Sequence, residues 1–190
     1  ARACLATPGG FRTAIRLGGR SSEKPLRAGD FLPAGPSRLE SRRMMIATEN
    51  PCSIRVMSGP DGSRIDPRAL SAGSFRVSPQ SDRMGLRLEG TIPVEADPER
   101  LSTPVTPGAI QATGGGLIVL GVASGTMGGY PHVAQVISAD LDRLGRLRPG
   151  DSIAFETVAP AEARRLDRER REALRVRDLG IAAAARDVLG

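Results

Sequence analysis

Apolar residues in this chain come in short alternating runs, each cut off by glycine or proline, and that punctuation commits it to a mainly antiparallel β fold. The candidate strands are residues 3–6, 53–57, 75–77, 86–89, 117–122, 132–137 and 152–158. In the last of them Ile153 and Phe155 point one way while Ala154 and Glu156 point the other, which gives that strand one wet face. Hydrophobic residues make up 39% of the chain, enough for a core, yet no run is long enough to span a membrane. The glycine run Gly114-Gly115-Gly116 has no helix and lysine after it and reads as a hairpin tip, not as a phosphate cradle.

Two segments echo each other, LRAGDFL at 26–32 and LRPGDSI at 147–153. In each, the glycine supplies a turn position with positive φ, the aspartate can bond the turn backbone, and an apolar strand follows. The echo implies two related β-lobes. The expected organisation is the final strands of an incomplete first lobe over 1–35, a linker over 36–53 with an apolar spot at Met44-Met45-Ile46, a second lobe over 54–160 and a helical tail over 161–190. Pro160 suits the first helical position, with Glu162 near the positive end of the helix dipole. Leu166, Arg170, Ala173 and Leu174 fall on one face, and Gly180 is expected to interrupt the helix before a frayed, alanine-rich end.

Residue usage removes several chemistries. Lys24 is the only lysine and precedes Pro25, so there is no P-loop, no biotinyl-lysine in a Met-Lys context and no good candidate for a Schiff base. Cys4 and Cys52 have no second thiol or histidine at ligand spacing, and read as reduced thiols of a cytoplasmic protein; no metal site is expected. Gly121-Val122-Ala123-Ser124-Gly125 puts its serine one place too late for a nucleophile elbow, and the sole histidine, His132, reads as a surface residue. The net charge of +6 raises nucleic-acid binding, but only 3% of residues are aromatic, and the arginines of 164–172 alternate with acids as on a solvated helix face.

The stretch 105–151 carries the chemistry. It contains PGAIQ at 107–111, the loop Gly128-Gly129-Tyr130-Pro131 and LRPGD at 147–151, with SPQSDRMG upstream at 78–85. Two glycines let a backbone approach a ligand closely and the proline stiffens the exit. Together with ACLA-x-x-GG at 3–10, LGGRSS at 17–22 and LRAGD at 26–30, these motifs resemble the biotin-dependent carboxyltransferase family: allophanate hydrolase subunit 2, the C component of 5-oxoprolinase and the carboxyltransferase domain of urea carboxylase. The resemblance implies cyclophilin-like split β-barrel lobes with a carboxyl-terminal helix, and it places Ala1 at an internal position of a longer unit. It also implies catalytic roles for Asp82, Arg83, Gln111 and Tyr130 and substrate contacts from Ser102, Gly128 and Gly129.

What such a chain would do follows from the same resemblance. It would be one subunit, or one domain, of a 5-oxoprolinase or urea carboxylase type complex that works on a cyclic or small amide. ATP would be handled by a partner subunit, and biotin, where used, would be carried by another domain or chain. The partners implied are the companion subunit 1, similar to the B component of 5-oxoprolinase, and a protein similar to its A component. Departures favour an alternative, a non-catalytic scaffolding or regulatory relative that binds the companion subunit: where the family resembles ADRQTTGGYP, this chain has Ala123 and Ser124 for the charged pair and Met127 for the second threonine. Thr103-Pro104 likewise stands in place of Glu-Gly. A basic nucleic-acid-binding β-domain is the third reading.

Overall fold

The computed structural model describes residues 15–16, 19–20, 28–29, 31, 53–95 and 99–189. The chain divides into two compact units, Arg2–Thr48 and Glu49–Gly190, the latter with Ala1. In the smaller, β1 (Ile15–Arg16) and β2 (Gly19–Arg20) pair antiparallel. Gly29 has φ +93°, as the turn motif requires. The candidate strand 3–6, both cysteines, Lys24 and Met44-Met45-Ile46 lie outside the described residues.

The larger unit is a closed seven-stranded barrel. Its strands are β3 (Ser53–Ser58), β4 (Ser74–Val77), β5 (Gly85–Glu89), β7 (Ala109–Thr113), β8 (Gly116–Leu120), β10 (His132–Val136) and β11 (Ser152–Thr157), in the order β10-β3-β11-β4-β5-β8-β7. Two short strands, β6 (Thr103–Pro104) and β9 (Met127–Gly128), pair beside it. All neighbours in the barrel are antiparallel except β11 and β3, which run parallel with Phe155 opposite Ile54. Closure leaves these strands no free edge.

Alternation explains most of the strands. Ile54 and Val56, Phe75 and Val77, and Ile153 and Phe155 are buried, and the residues between them are half-buried or exposed. Phe75 and Phe155 meet with ring centroids 5.5 Å apart. Strand β7 does not alternate: Ala109, Ile110, Gln111 and Ala112 are all buried, and its small residues carry no periodic signal. The hairpin tip expected at 114–116 is present, with Thr113 opposite Gly116 across Gly114-Gly115. A six-residue helix, α1 (Pro67–Ala72), was not expected; Asp66 caps it by accepting from the Arg68 N–H at 2.9 Å, and Leu70 enters the core. Gly150 has φ +90°, and Asp151 accepts from the Arg148 N–H at 2.7 Å, so LRPGD forms the expected turn.

After β10 the chain makes a 3-10 turn (Ser138–Asp140) and a short helix, α2 (Leu141–Leu144). The Asp140 carboxylate is fully buried. It accepts from the Arg55 backbone N–H (2.9 Å), from Arg55 Nε (3.0 Å) and NH2 (2.6 Å), and from Arg143 NH1 (3.2 Å). Arg55 sits on β3 between the inward Ile54 and Val56, so this pair latches the crossover onto the barrel wall. Burial alone would push the carboxyl pKa up, but the hydrogen bonds from Arg55 and the charge of Arg143 outweigh it and hold the group below the ordinary 3.8.

The final helix, α3 (Pro160–Leu189), starts where expected and packs Ala163 and Leu166 against Ile137 and Ala139. It runs unbroken through Gly180, contrary to the expected interruption. One interior glycine costs about 1 kcal/mol, and ion pairs at helical spacing, Arg165 with Glu162 and Glu169, Arg171 with Asp167 and Arg175 with Glu172, support the preceding turns. Arg170 pairs with Asp142 of α2. Among the described residues no helix is long and apolar enough to cross a membrane.

Replacing Asp140 by alanine is expected to lower stability at pH 7 by about 3 kcal/mol, the low end for a broken buried pair because Arg55 stays partly wet. The folded carboxyl is more acidic than the unfolded one, so the stabilisation is complete above the unfolded pKa and is lost as pH falls below about 3.8 through the folded value. Urea denaturation at pH 7 and pH 3 measures both; equal midpoints for the two proteins at pH 7 would contradict the latch.

Candidate functional site

The connection from β4 to β5 carries SDRMG and is closed by its own side chains. Asp82 Oδ1 accepts from the Met84 N–H at 2.8 Å and the Gly85 N–H at 3.2 Å, while the Asp82 N–H donates to the Gly85 carbonyl at 3.1 Å. Ser81 Oγ accepts from the Arg87 N–H at 3.0 Å. Asp82 thus shapes the turn, as aspartate does where it bonds backbone two residues on. The Arg83 side chain is exposed; its carbonyl accepts from the Ala123 N–H at 3.2 Å, and the Met84 carbonyl from the Gly121 N–H at 2.8 Å, so this turn docks on the turn after β8.

Gln111 projects from β7 with only 4% of its surface exposed. Its Nε2 donates to the Tyr130 carbonyl at 3.3 Å, and the Pro131 carbonyl accepts from the Ala112 N–H at 3.0 Å, so β7 fixes two successive peptides of the GGYP loop. Its second amide N–H and Oε1 make no further hydrogen bond among the described residues. Gly128 is required by close approach, since a Cβ there would collide with Gln111 Nε2 and lie 3.2 Å from Val105 Cγ1. Pairing of β6 with β9 brings Ser102 beside Gly129, with Ser102 Oγ 3.6 Å from where a Gly129 Cβ would be.

One depression is lined by Met127, just before the loop, and another by the loop itself. A pocket of about 170 Å3 is lined by Asp82, Gln111, Ser124 and Met127 together with Met84 and Arg87. A second, of about 410 Å3, is lined by Gly129 and Tyr130 with Arg100 and Glu95. The lining of the first gathers Asp82 and Gln111, and that of the second holds Tyr130 and Gly129, with Tyr130 half exposed at its lip. Arg83 lines neither pocket, nor does Ala123.

Two residues beside the loop carried no signal in the sequence. Asp61 accepts from Arg100 NH1 at 2.8 Å and NH2 at 2.7 Å, and from the His132 backbone N–H at 2.8 Å. The Arg100 hydrogen bonds hold its carboxyl below the ordinary 3.8. A single Asp in a GPDG turn and an arginine 39 residues away share no spacing that marks a pair. His132 is not the surface residue expected. It lies opposite Gln111 in the closed barrel and is buried, and its Nε2 has no hydrogen-bond partner. Burial pushes its pKa below the ordinary 6.5, so the ring is neutral at pH 7.

These features can be set beside known proteins. The family described as "Carboxyltransferase domain, subdomain A and B" matches residues 1–157, and the chain belongs to that family. The match ends with β11, leaving α3 beyond it. The C component of 5-oxoprolinase from Escherichia coli strain K12 is 33% identical over 163 residues, covering 82% of this chain and 53% of that protein. The chain therefore spans about half the length of this relative. The crystal structure of TTHA0988 is 33% identical with a TM-score of 0.65, over 80% of this chain and 33% of that one. The Kluyveromyces lactis urea amidolyase shares the fold, with a TM-score of 0.69 at 23% identity over 87% of this chain and 12% of the other.

Gly128→Ala is expected to cost about 1–3 kcal/mol, the range for overpacking a filled site, whereas Gly129→Ala, which meets only ordinary contact, should stay within about 0.5 kcal/mol of the parent. Urea denaturation of both variants checks this; equal costs would show that the loop does not rest on Gln111.

Proposed function

We propose that this barrel is the amide-handling part of a 5-oxoprolinase or urea carboxylase type complex, in which companion subunits supply ATP-dependent activation. The observation that carries the reading is the Gln111 carboxamide. It is buried, anchored through one N–H to the ligand loop, and belongs to the lining of the 170 Å3 pocket, where its second N–H and its acceptor oxygen would serve a ligand. A donor and acceptor held side by side complement an amide or urea group, which presents the same pair in reverse. Because the carboxamide is fixed before the ligand arrives, it can favour charge developing on a substrate carbonyl without reorganising.

Pocket size limits what else enters. At about 170 Å3 it falls below the ~300–1,000 Å3 of drug-sized sites. It suits a urea or a small lactam, and no step is assigned to biotin. The nearby Arg87, the Asp82 turn and Ser124 make the remaining wall polar, and Met84, Met127, Ile118 and Leu120 close the apolar side.

Ser124 lines this pocket, and in related sequences an arginine is expected at its position and an aspartate at that of the exposed Ala123. That loss of charge favours a second reading, a scaffold that binds its companion subunit without performing chemistry. One experiment separates the two. In the chain mixed with purified partners of the A and B types, Gln111→Ala is expected to reduce ATP-dependent cleavage of 5-oxoproline by about 10²-fold, the effect of removing a preorganised donor, and Ala123→Asp with Ser124→Arg to raise it. Assembly with the partners but no turnover by either the parent or the double variant would leave the scaffold.

A further inference from the structure

Asp61 belongs to the turn between β3 and the 3-10 turn Gly62–Arg64, outside both pockets, yet two distant segments converge on it. Its backbone N–H donates to the His132 carbonyl at 3.0 Å, and its carboxylate accepts from the His132 N–H at 2.8 Å, so the residue after Tyr130-Pro131 is held on both sides. The same carboxylate grips the Arg100 guanidinium through two hydrogen bonds of 2.8 and 2.7 Å, and Arg64 Nε lies 3.6 Å away. The Arg100 side chain is only 10% exposed and forms a wall of the 410 Å3 pocket that Tyr130 and Gly129 also line. Two residues beyond Arg100 comes Ser102, which β6 sets beside Gly129.

We infer that Asp61 is a positioning residue for the loop 128–131: acting through Arg100 and the His132 peptide, it fixes the Tyr130 ring at the mouth of the larger pocket. A forked, charge-assisted pair defines orientation as well as distance. The same carboxylate takes the N–H at the loop exit, so both ends of the device are set by one group. The inference rests on taking 128–131 as the ligand loop, but its physical content, the immobilisation of Tyr130, is measurable without any turnover.

The chain supplies its own probe, since it has one tyrosine and no tryptophan, and with excitation to the red of phenylalanine absorption its intrinsic emission comes from Tyr130. Steady-state anisotropy reports ring and loop motion on the nanosecond scale, and acrylamide quenching reports access. Asp61→Asn and Arg100→Lys, the latter keeping the charge but losing the fork, are each expected to lower the anisotropy and raise the quenching constant while the far-ultraviolet circular dichroism stays that of the parent. Asp140→Asn weakens a different buried carboxylate and is expected to leave both Tyr130 signals at the parental value under conditions where it is folded. Parental signals in Asp61→Asn, or the same change in Asp140→Asn, would overturn the inference. If Asp61→Asn does not fold, Arg100→Lys decides it, because an unchanged Tyr130 signal there overturns it equally. A reconstituted complex without activity would leave this result standing.

Discussion

The parallel contact between β3 and β11 is the constraint on which the larger unit depends. The other barrel neighbours are antiparallel, six pairs in all, and β4 with β5 and β7 with β8 are joined in sequence; β3 and β11 come from opposite ends of the barrel sequence and must meet to close it. Such a long-range parallel pairing gains nothing until the intervening chain is ordered. Two features reinforce it. Ile54 and Phe155 face each other in the core, and the outward Arg55 next to Ile54 is gripped by the buried Asp140. Closure then places β7 beside β10, and from that adjacency comes the contact between Gln111 and the GGYP loop.

The candidate site is accordingly a consequence of the barrel wall more than of its loops. Gln111 is a strand residue whose backbone is locked on both sides by β8 and β10, and the loop is laid over it through the Tyr130 and Pro131 carbonyls. A site residue on a rigid element keeps its geometry better than one on a flexible loop. Arg100 is tied to Asp61, and Arg165, Arg171 and Arg175 of α3 pair with acids of the same helix.

How much of this the sequence discloses depends on how local the physics is. Short apolar runs cut off by glycine or proline identify β3, β4, β5, β8, β10 and β11, most of them by the two-residue repeat of a half-buried strand, although β10 is buried at four of its five positions. The repeat fails for β7, where Ala109, Gln111 and Ala112 are buried on both faces, and α1 escaped although Asp66-Pro67 is a helix start signal, because six residues give no periodicity. The turns at Gly29 and Gly150 are legible since a positive φ is a property of a single residue. The resemblance of SDRMG, PGAIQ and GGYP pointed to segments that the fold does bring together around two pockets. It could not show that Asp82 and Gln111 line one and Tyr130 the other, nor that His132 is buried. Ion pairs that span 39 and 85 residues, Asp61 with Arg100 and Arg55 with Asp140, exist only once the barrel has closed.

The central claim is that an amide is held against Gln111 in the smaller pocket. Its most direct measurement is a titration of the isotope-labelled chain with 5-oxoproline, and separately with urea, followed by nuclear magnetic resonance. The account predicts saturable shifts of the Gln111 side-chain amide and of the backbone amides of Gly125, Met127 and Gly128. Saturable shifts confined to the groove between β10 and α3, around Ile137 and Ala163, with the Gln111 side chain unmoved, would contradict it.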